Sequence, residues 1–208
     1  MKKKIVFIMN PISGTSSKAA VPSLIDSTLD KEQFEYEIKM TERPGHASEL
    51  AAEARDNHAD IVVAVGGDGT VNEVARSLVH SDSALGILPC GSGNGLARHL
   101  LLPMNLKKSI EIINACEIHD LDYGVINEYP FFCTCGMGFD AFVSMKFAES
   151  GKRGPISYAE NILREGLKYE PETYTLEDET GTKQYKAFLI SCANASQYGN
   201  NAYIAPQA

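Results

Sequence analysis

The chain has 208 residues, 44% hydrophobic and 22% charged, with a formal net charge of −8 and a pI near 5.1. This composition excludes a disordered chain, which pairs low hydrophobicity with high net charge, and the length suits one full domain of roughly 100–150 residues plus part of another. The acidity argues against nucleic acid as a partner, because phosphate neutralisation needs clustered Lys and Arg.

Lys2, Lys3 and Lys4 precede an apolar run, but Ile5 to Met9 is shorter than the ~7–15 residues of a secretory core and stops at Asn10-Pro11. It reads as a strand buried on both faces. Helical spacing follows at Val21, Leu24, Ile25, Thr28 and Leu29, then alternation at Phe34, Tyr36, Ile38 and Met40. Ala47, Leu50, Ala51 and Ala54 return to helical spacing, Ile61 to Val65 reads as a second buried strand, and a helix stripe begins near Val71 and runs through Val74, Ala75, Leu78 and Val79. Leu85 to Leu88 is the next strand, and Leu106, Ile110 and Ile113 mark another helix. Strand–helix alternation predicts an open parallel α/β sheet over 1–118.

From 119 to 208 the texture changes. Strands are expected at Leu121–Asn127, Phe131–Cys135, Tyr174–Glu179 and Tyr185–Ala193, with a hairpin turn at Glu179-Thr180-Gly181-Thr182 and a helix from Tyr158 to Leu167. This region reads as mainly antiparallel β, and as incomplete, since it ends at Ala205-Pro206-Gln207 with no closing element and leaves an edge open to homodimer formation. The five cysteines show no zinc-clip spacing and are expected to be reduced, mostly buried thiols; the histidines show no metal-ligand spacing. No apolar stretch approaches the ~18–20 residues that span a bilayer, so a cytoplasmic protein with at most peripheral membrane contact is expected, Lys146, Lys152 and Arg153 being candidates for that contact.

Three glycine-rich segments each follow a strand end: Asn10-Pro11-Ile12-Ser13-Gly14, Gly66-Gly67-Asp68-Gly69-Thr70 and Pro89-Cys90-Gly91-Ser92-Gly93-Asn94-Gly95. In an open α/β sheet ligands bind beyond the carboxyl ends of the strands, where all three segments converge. Glycines let backbone amides approach phosphate oxygens, and a helix start adds unpaired N–H groups. Asp68 repels phosphate unless a metal or a proton-transfer role compensates; alternatively it caps a helix. None of the three matches the P-loop or the dinucleotide fingerprint.

In this order and spacing, Asn10-Pro11-x-Ser13-Gly14, Gly66-Gly67-Asp68-Gly69-Thr70-x-Asn72-Glu73 and Pro89-x-Gly91-Ser92-Gly93-Asn94 resemble the diacylglycerol kinase catalytic domain family, which includes bacterial lipid kinases and the sphingosine and ceramide kinases. Asp122-x-Gly124-x-x-Asn127 and Gly136-x-Gly138-Phe139-Asp140-Ala141 resemble the opening of that family's β-rich second domain. The resemblance implies an NAD kinase/phosphofructokinase-like sheet and transfer of phosphate from ATP, with Mg2+, to a lipid alcohol at the inner face of the membrane. It implies an ATP site at Asn10, Thr41, Gly66, Gly67, Asp68, Gly69, Thr70, Val71, Asn72 and Ser92. Asp68 would serve Mg-ATP or polarise the transfer, with the family's general base expected beyond Ala208. Asn94-Gly95-Leu96 is nearer the sphingosine kinase style than the Asn-Asp-Phe of many bacterial members, which leaves the lipid open. NAD kinase, which also carries Gly-Gly-Asp-Gly-Thr, is the alternative enzyme, and a nucleotide- or lipid-binding module the non-enzymatic one.

Overall fold

The computed structural model describes residues 2–14, 17–149, 166 and 169–208. Strand and helix alternate through β1 (Lys3–Met9), α1 (Val21–Thr28), β2 (Phe34–Met40), α2 (His46–Asp56), β3 (Ile61–Gly66), α3 (Asp68–Leu78), β4 (Ala84–Pro89), α4 (Gly95–His99) and α5 (Leu106–Ala115). The first four strands form one parallel sheet in the order β2-β1-β3-β4. Met9 pairs with both Met40 and Val65, and Gly66 with Pro89, so the carboxyl ends of the strands finish nearly level. The order reverses between β1 and β3, the switch point at which open α/β sheets hold ligands.

Alternate residues of each strand face opposite sides of the sheet. Ile5, Phe7, Met9, Val63 and Val65 pack with Ile25 of α1 and Ile110 of α5, while Val6, Ile8, Val62 and Ala64 pack with Ala47 and Ala51 of α2 and Val74 and Leu78 of α3. Burial on both faces is why Ile5 to Met9 carries no polar alternation. Each fully buried aliphatic side chain contributes about 1.5–3 kcal/mol, which concentrates stability in this sheet.

The remaining strands are antiparallel: β5 (Gly124–Ile126) with β6 (Tyr129–Phe131), β7 (Thr134–Gly138) with β10 (Leu189–Ala193), and β8 (Glu172–Asp178) with β9 (Gly181–Ala187). Between β8 and β9 the two-residue turn at Glu179-Thr180 falls where the hairpin is expected, and Asp178 accepts from both the amide and the hydroxyl of Thr180 at 2.7 and 2.6 Å. Those bonds hold the Asp178 carboxyl below the usual carboxylate range.

The contacts divide the chain into two units, Met1–Cys133 with Asn194–Ala208, and Thr134–Ala193. This division differs from a boundary at 118/119. The strand–helix alternation closes with α5 just before it, but Arg76 of α3 donates to the Pro130 carbonyl at 2.9 Å and Phe132 joins the core beside α3, which ties β5 and β6 to the first unit. Helix α6 (Phe139–Glu149) has no counterpart in the sequence reading, because its apolar residues follow no single-faced stripe. The helix expected from Tyr158 to Leu167 lies outside the described residues, Gly166 excepted, as do Lys152, Arg153 and the side chain of Lys146. The cysteines correct one expectation: all five are free, but Cys192 is exposed and the other four are only half-buried. No helix among the described residues is long and apolar enough to cross a membrane.

Candidate functional site

Three segments leave the ends of β1, β3 and β4 in close contact. Asn10 directs its side-chain oxygen to the Ile12 amide at 3.1 Å and donates from its Nδ2 to the Thr70 hydroxyl at 3.3 Å, which ties the first segment to the first turn of α3. Gly14 has φ +64°, and a Cβ there would stand 2.3 Å from the Cys90 carbonyl oxygen, so only glycine lets the first segment lie against the third. A Cβ on Gly91 would meet the Gly67 Cα at 2.3 Å, an equally close approach between the third segment and the second.

Helix α3 starts at Asp68, three residues before the start expected from the Val71 stripe. The Gly67 carbonyl accepts the Val71 amide at 3.0 Å, so the Gly-Asp-Gly-Thr stretch is itself the first turn. The amides of Asp68, Gly69 and Thr70 then have no intrahelical acceptor, and they stand at the positive end of an eleven-residue helix.

The two carboxylates of the motif share one device. Asp68 accepts the Asn94 amide at 2.8 Å on one oxygen and the Gly95 amide at 2.6 Å on the other, capping α4 across the site. Glu73 accepts the Gly45 and Ala47 amides, each at 3.2 Å, capping α2. Asp68 thus has the helix-capping role, on a helix other than the one it begins. It remains exposed, and each carboxylate oxygen keeps a lone pair beyond the one that caps.

The third segment is closed by its own side chain. Asn94, left-handed at φ 54°, accepts the Gly91 amide at 2.8 Å and donates to the Gly91 carbonyl at 3.0 Å. Arg98 braces it from α4, its Nε donating to the Gly93 carbonyl at 3.1 Å. From the far end of the sequence, Asn94 bridges Gly199 and the Asn200 amide reaches the Gly93 carbonyl at 3.3 Å, while the Ser196 hydroxyl meets the His99 ring at 3.2 Å. Residues 194–203 therefore complete the wall around the third segment.

Lys18 is a functional candidate that the motif reading misses. It is buried, at 7% exposure, its ammonium donates to the Ser13 carbonyl, and its charge acts on the Cys90 thiol, opposing the burial that pushes that thiol up. The charge pattern carries a signal for it, as Lys18 is the sole basic residue between Lys4 and Lys31. No comparable signal marks Ser196 or Gly199, whose places depend on long-range contacts.

Of the expected ATP-site residues, Asn10, Gly66, Gly67, Asp68, Gly69 and Thr70 lie together at the β1 and β3 ends. Thr41 follows β2 and is anchored by its amide to the Met9 carbonyl at 2.9 Å, one residue from Asn10. Val71 turns its side chain into the core. Asn72 and Ser92 are half-buried. Among the described residues no group of three or more His, Cys, Asp or Glu is arranged to hold a metal. Of the four phenylalanines from 131 to 142, Phe132 is core, the Phe131 ring lies against Gly124, and Phe139 and Phe142 stack with Tyr169 at 5.3 and 5.7 Å.

These features define a parallel α/β protein whose glycine-rich segments pack around the first turn of α3. Residues 4–126 match the profile of the diacylglycerol kinase catalytic domain, and residues 133–208 that of the YegS C-terminal NAD kinase beta sandwich-like domain. The chain belongs to the diacylglycerol kinase catalytic domain family. It is 32% identical over 163 residues to a diacylglycerol kinase of Staphylococcus saprophyticus, covering 76% of this chain and 53% of that one. It is 29% identical over 187 residues to "Probable lipid kinase YegS" of Escherichia fergusonii, covering 86% of this chain and 62% of that one. The chain thus spans about three fifths or less of these relatives' length. A crystal structure of a diacylglycerol kinase from Bacillus anthracis shares the fold, with a TM-score of 0.67 at 20% identity over 94% of this chain and 64% of that one.

Proposed function

We propose that the chain carries the nucleotide site of an ATP-dependent lipid kinase, which transfers the terminal phosphate of ATP to the hydroxyl of a membrane lipid such as diacylglycerol. The observation that supports this reading best is the first turn of α3, whose amides at Asp68, Gly69 and Thr70 have no acceptor within the helix and are hemmed in by the first and third segments. In-line phosphoryl transfer depends mostly on positioning and charge neutralisation, and such a cradle supplies both. In this reading Asn10, Thr41, Asn72 and Ser92 contact the nucleotide around that turn.

Asp68 is held still by two backbone amides while its remaining lone pairs face solvent. A lone carboxylate fits Mg2+ carried by ATP, since that ion takes one or two carboxylates beside phosphate oxygens and keeps several waters. When bound through Asp68, the ion would neutralise charge on the transferred group.

Calorimetric titration with Mg-ATP, followed by assays with labelled ATP against diacylglycerol and against NAD, tests the proposal. Nucleotide binding with label in the lipid is expected. Label in NAD instead would assign the alternative enzyme, and binding with neither product would leave a nucleotide-binding module. Absence of Mg-ATP binding would sink the reading altogether.

A further inference from the structure

The geometry points to the loop between α4 and α5 as the surface by which this protein docks on an anionic lipid bilayer. The inference rests on the lipid-kinase reading and adds to it the place where the chain meets its substrate's membrane.

Helix α4 ends in a Schellman closure: the Leu102 amide donates to the Ala97 carbonyl at 2.8 Å, and the Leu101 amide to the Arg98 carbonyl at 3.1 Å. That closure puts Leu101 in the left-handed conformation, φ 57°, where glycine is the ordinary occupant and a leucine is strained. Leu101 is also 89% exposed, and Leu100 beside it 39%. The loop's other apolar residues, Leu102 and Met104, turn inward against the core. Leu101 therefore serves neither packing nor backbone geometry.

The charges around it run against local preference too. Lys107 and Lys108 occupy the first turn of α5, at the positive end of the helix dipole where acidic residues are favoured. Both are exposed, and among the described residues neither is ion-paired with a carboxylate. The Ser109 hydroxyl donates to the Pro103 carbonyl at 2.7 Å, which fastens this turn to the leucine loop. In a chain of net charge −8, no acidic residue occurs from Ser83 to Ile110, a stretch that carries Arg98, Lys107 and Lys108. Exposed leucine on a loop fastened to a turn that carries two exposed lysines complements a surface with anionic head groups over an apolar interior.

Position agrees with use. Helix α4 begins at the Asp68 cap and runs five residues, about 8 Å at 1.5 Å per residue, before the leucines. A bilayer met there lies close to the phosphate-facing loops.

Sedimentation of the 208-residue chain with vesicles of equal parts phosphatidylglycerol and phosphatidylcholine, without nucleotide, tests the docking surface. Leu101→Gly should raise the melting temperature, because glycine relieves the strain, and yet weaken vesicle binding about tenfold. Lys107→Gln with Lys108→Gln should weaken it about fivefold per lysine at low salt, and high salt should erase that difference. Equal binding of Leu101→Gly and the parent, or equal binding to pure phosphatidylcholine, would overturn the inference. So would a dimer in sedimentation velocity that Leu101→Gly dissolves while vesicle binding persists, which would give the face to a second copy. Mg-ATP titration of the same variants should match the parent; failure of the parent to bind Mg-ATP would count against the kinase reading and leave the vesicle result standing.

Discussion

Asp68 shows how one residue joins fold and chemistry. Each of its oxygens accepts a backbone amide at the start of α4. In Asp68→Asn one oxygen becomes an NH2 group facing an N–H donor, so one bond is lost and two donors oppose each other. The expected cost is about 1–3 kcal/mol, together with loss of Mg-ATP affinity and transfer. Thermal melting and calorimetry separate the two effects; an unchanged melting temperature would mean that the cap contributes nothing. The sequence motif suggests either a phosphate-facing or a capping role for this carboxylate, and the structure lets one side chain serve as cap with lone pairs to spare. A second expectation concerns the thiols. Burial pushes the Cys90 thiol up, leaving little thiolate at neutral pH, whereas Cys192 is exposed. Limited alkylation at neutral pH read by mass spectrometry should label Cys192 well before Cys90, and Mg-ATP should slow Cys90 further. Early labelling of Cys90 would contradict the packing of the third segment.

At the scale of elements, the parallel sheet was legible because burial on both faces writes continuous apolar runs, and α1, α2, α3 and α5 because each has a single buried stripe. The start of α3 was not, since a turn made of Gly67, Asp68 and Gly69 has no apolar periodicity to announce it. Nor was α6, or the hairpin of residues 194–203 whose contacts reach back about a hundred positions to Gly93 and His99. The sequence pattern turns the glycines of the three segments toward phosphate, but several are needed for contact between the segments themselves. Gly91→Ala tests that distinction. Its Cβ would stand 2.3 Å from the Gly67 Cα and 2.8 Å from the Asn94 side-chain oxygen, and backbone cannot yield as a flexible side chain does. The segments must separate, with an expected loss of about 1–3 kcal/mol, as for other overpacked sites, and of nucleotide binding. Full stability in the alanine variant, measured by urea denaturation, would show that the loops are loosely apposed.

For the whole molecule, the two units differ in how much they bury. The first holds two core clusters on either side of the sheet, whereas among the described residues of Thr134–Ala193 the buried hydrophobic is Val143, and β8 and β9 are exposed at nearly every position. Local opening free energy follows buried apolar contact, so hydrogen exchange should divide the same way. The amides of β1 and β3 should exchange slowest, and those of β8 and β9 orders of magnitude faster despite their ladder. Saturating Mg-ATP adds a further stabilisation to whatever it binds, about 2.7 kcal/mol at a hundred times its Kd. If the nucleotide rests on the first turn of α3, that increment belongs to the first unit. Protection should then rise around Gly67–Thr70 and Gly91–Asn94 and spread to β1 and β3, while β8 and β9 keep their rates. Uniform protection of both units would indicate that the chain unfolds as one cooperative body, and protection confined to β8 and β9 would move the nucleotide site out of the glycine-rich loops.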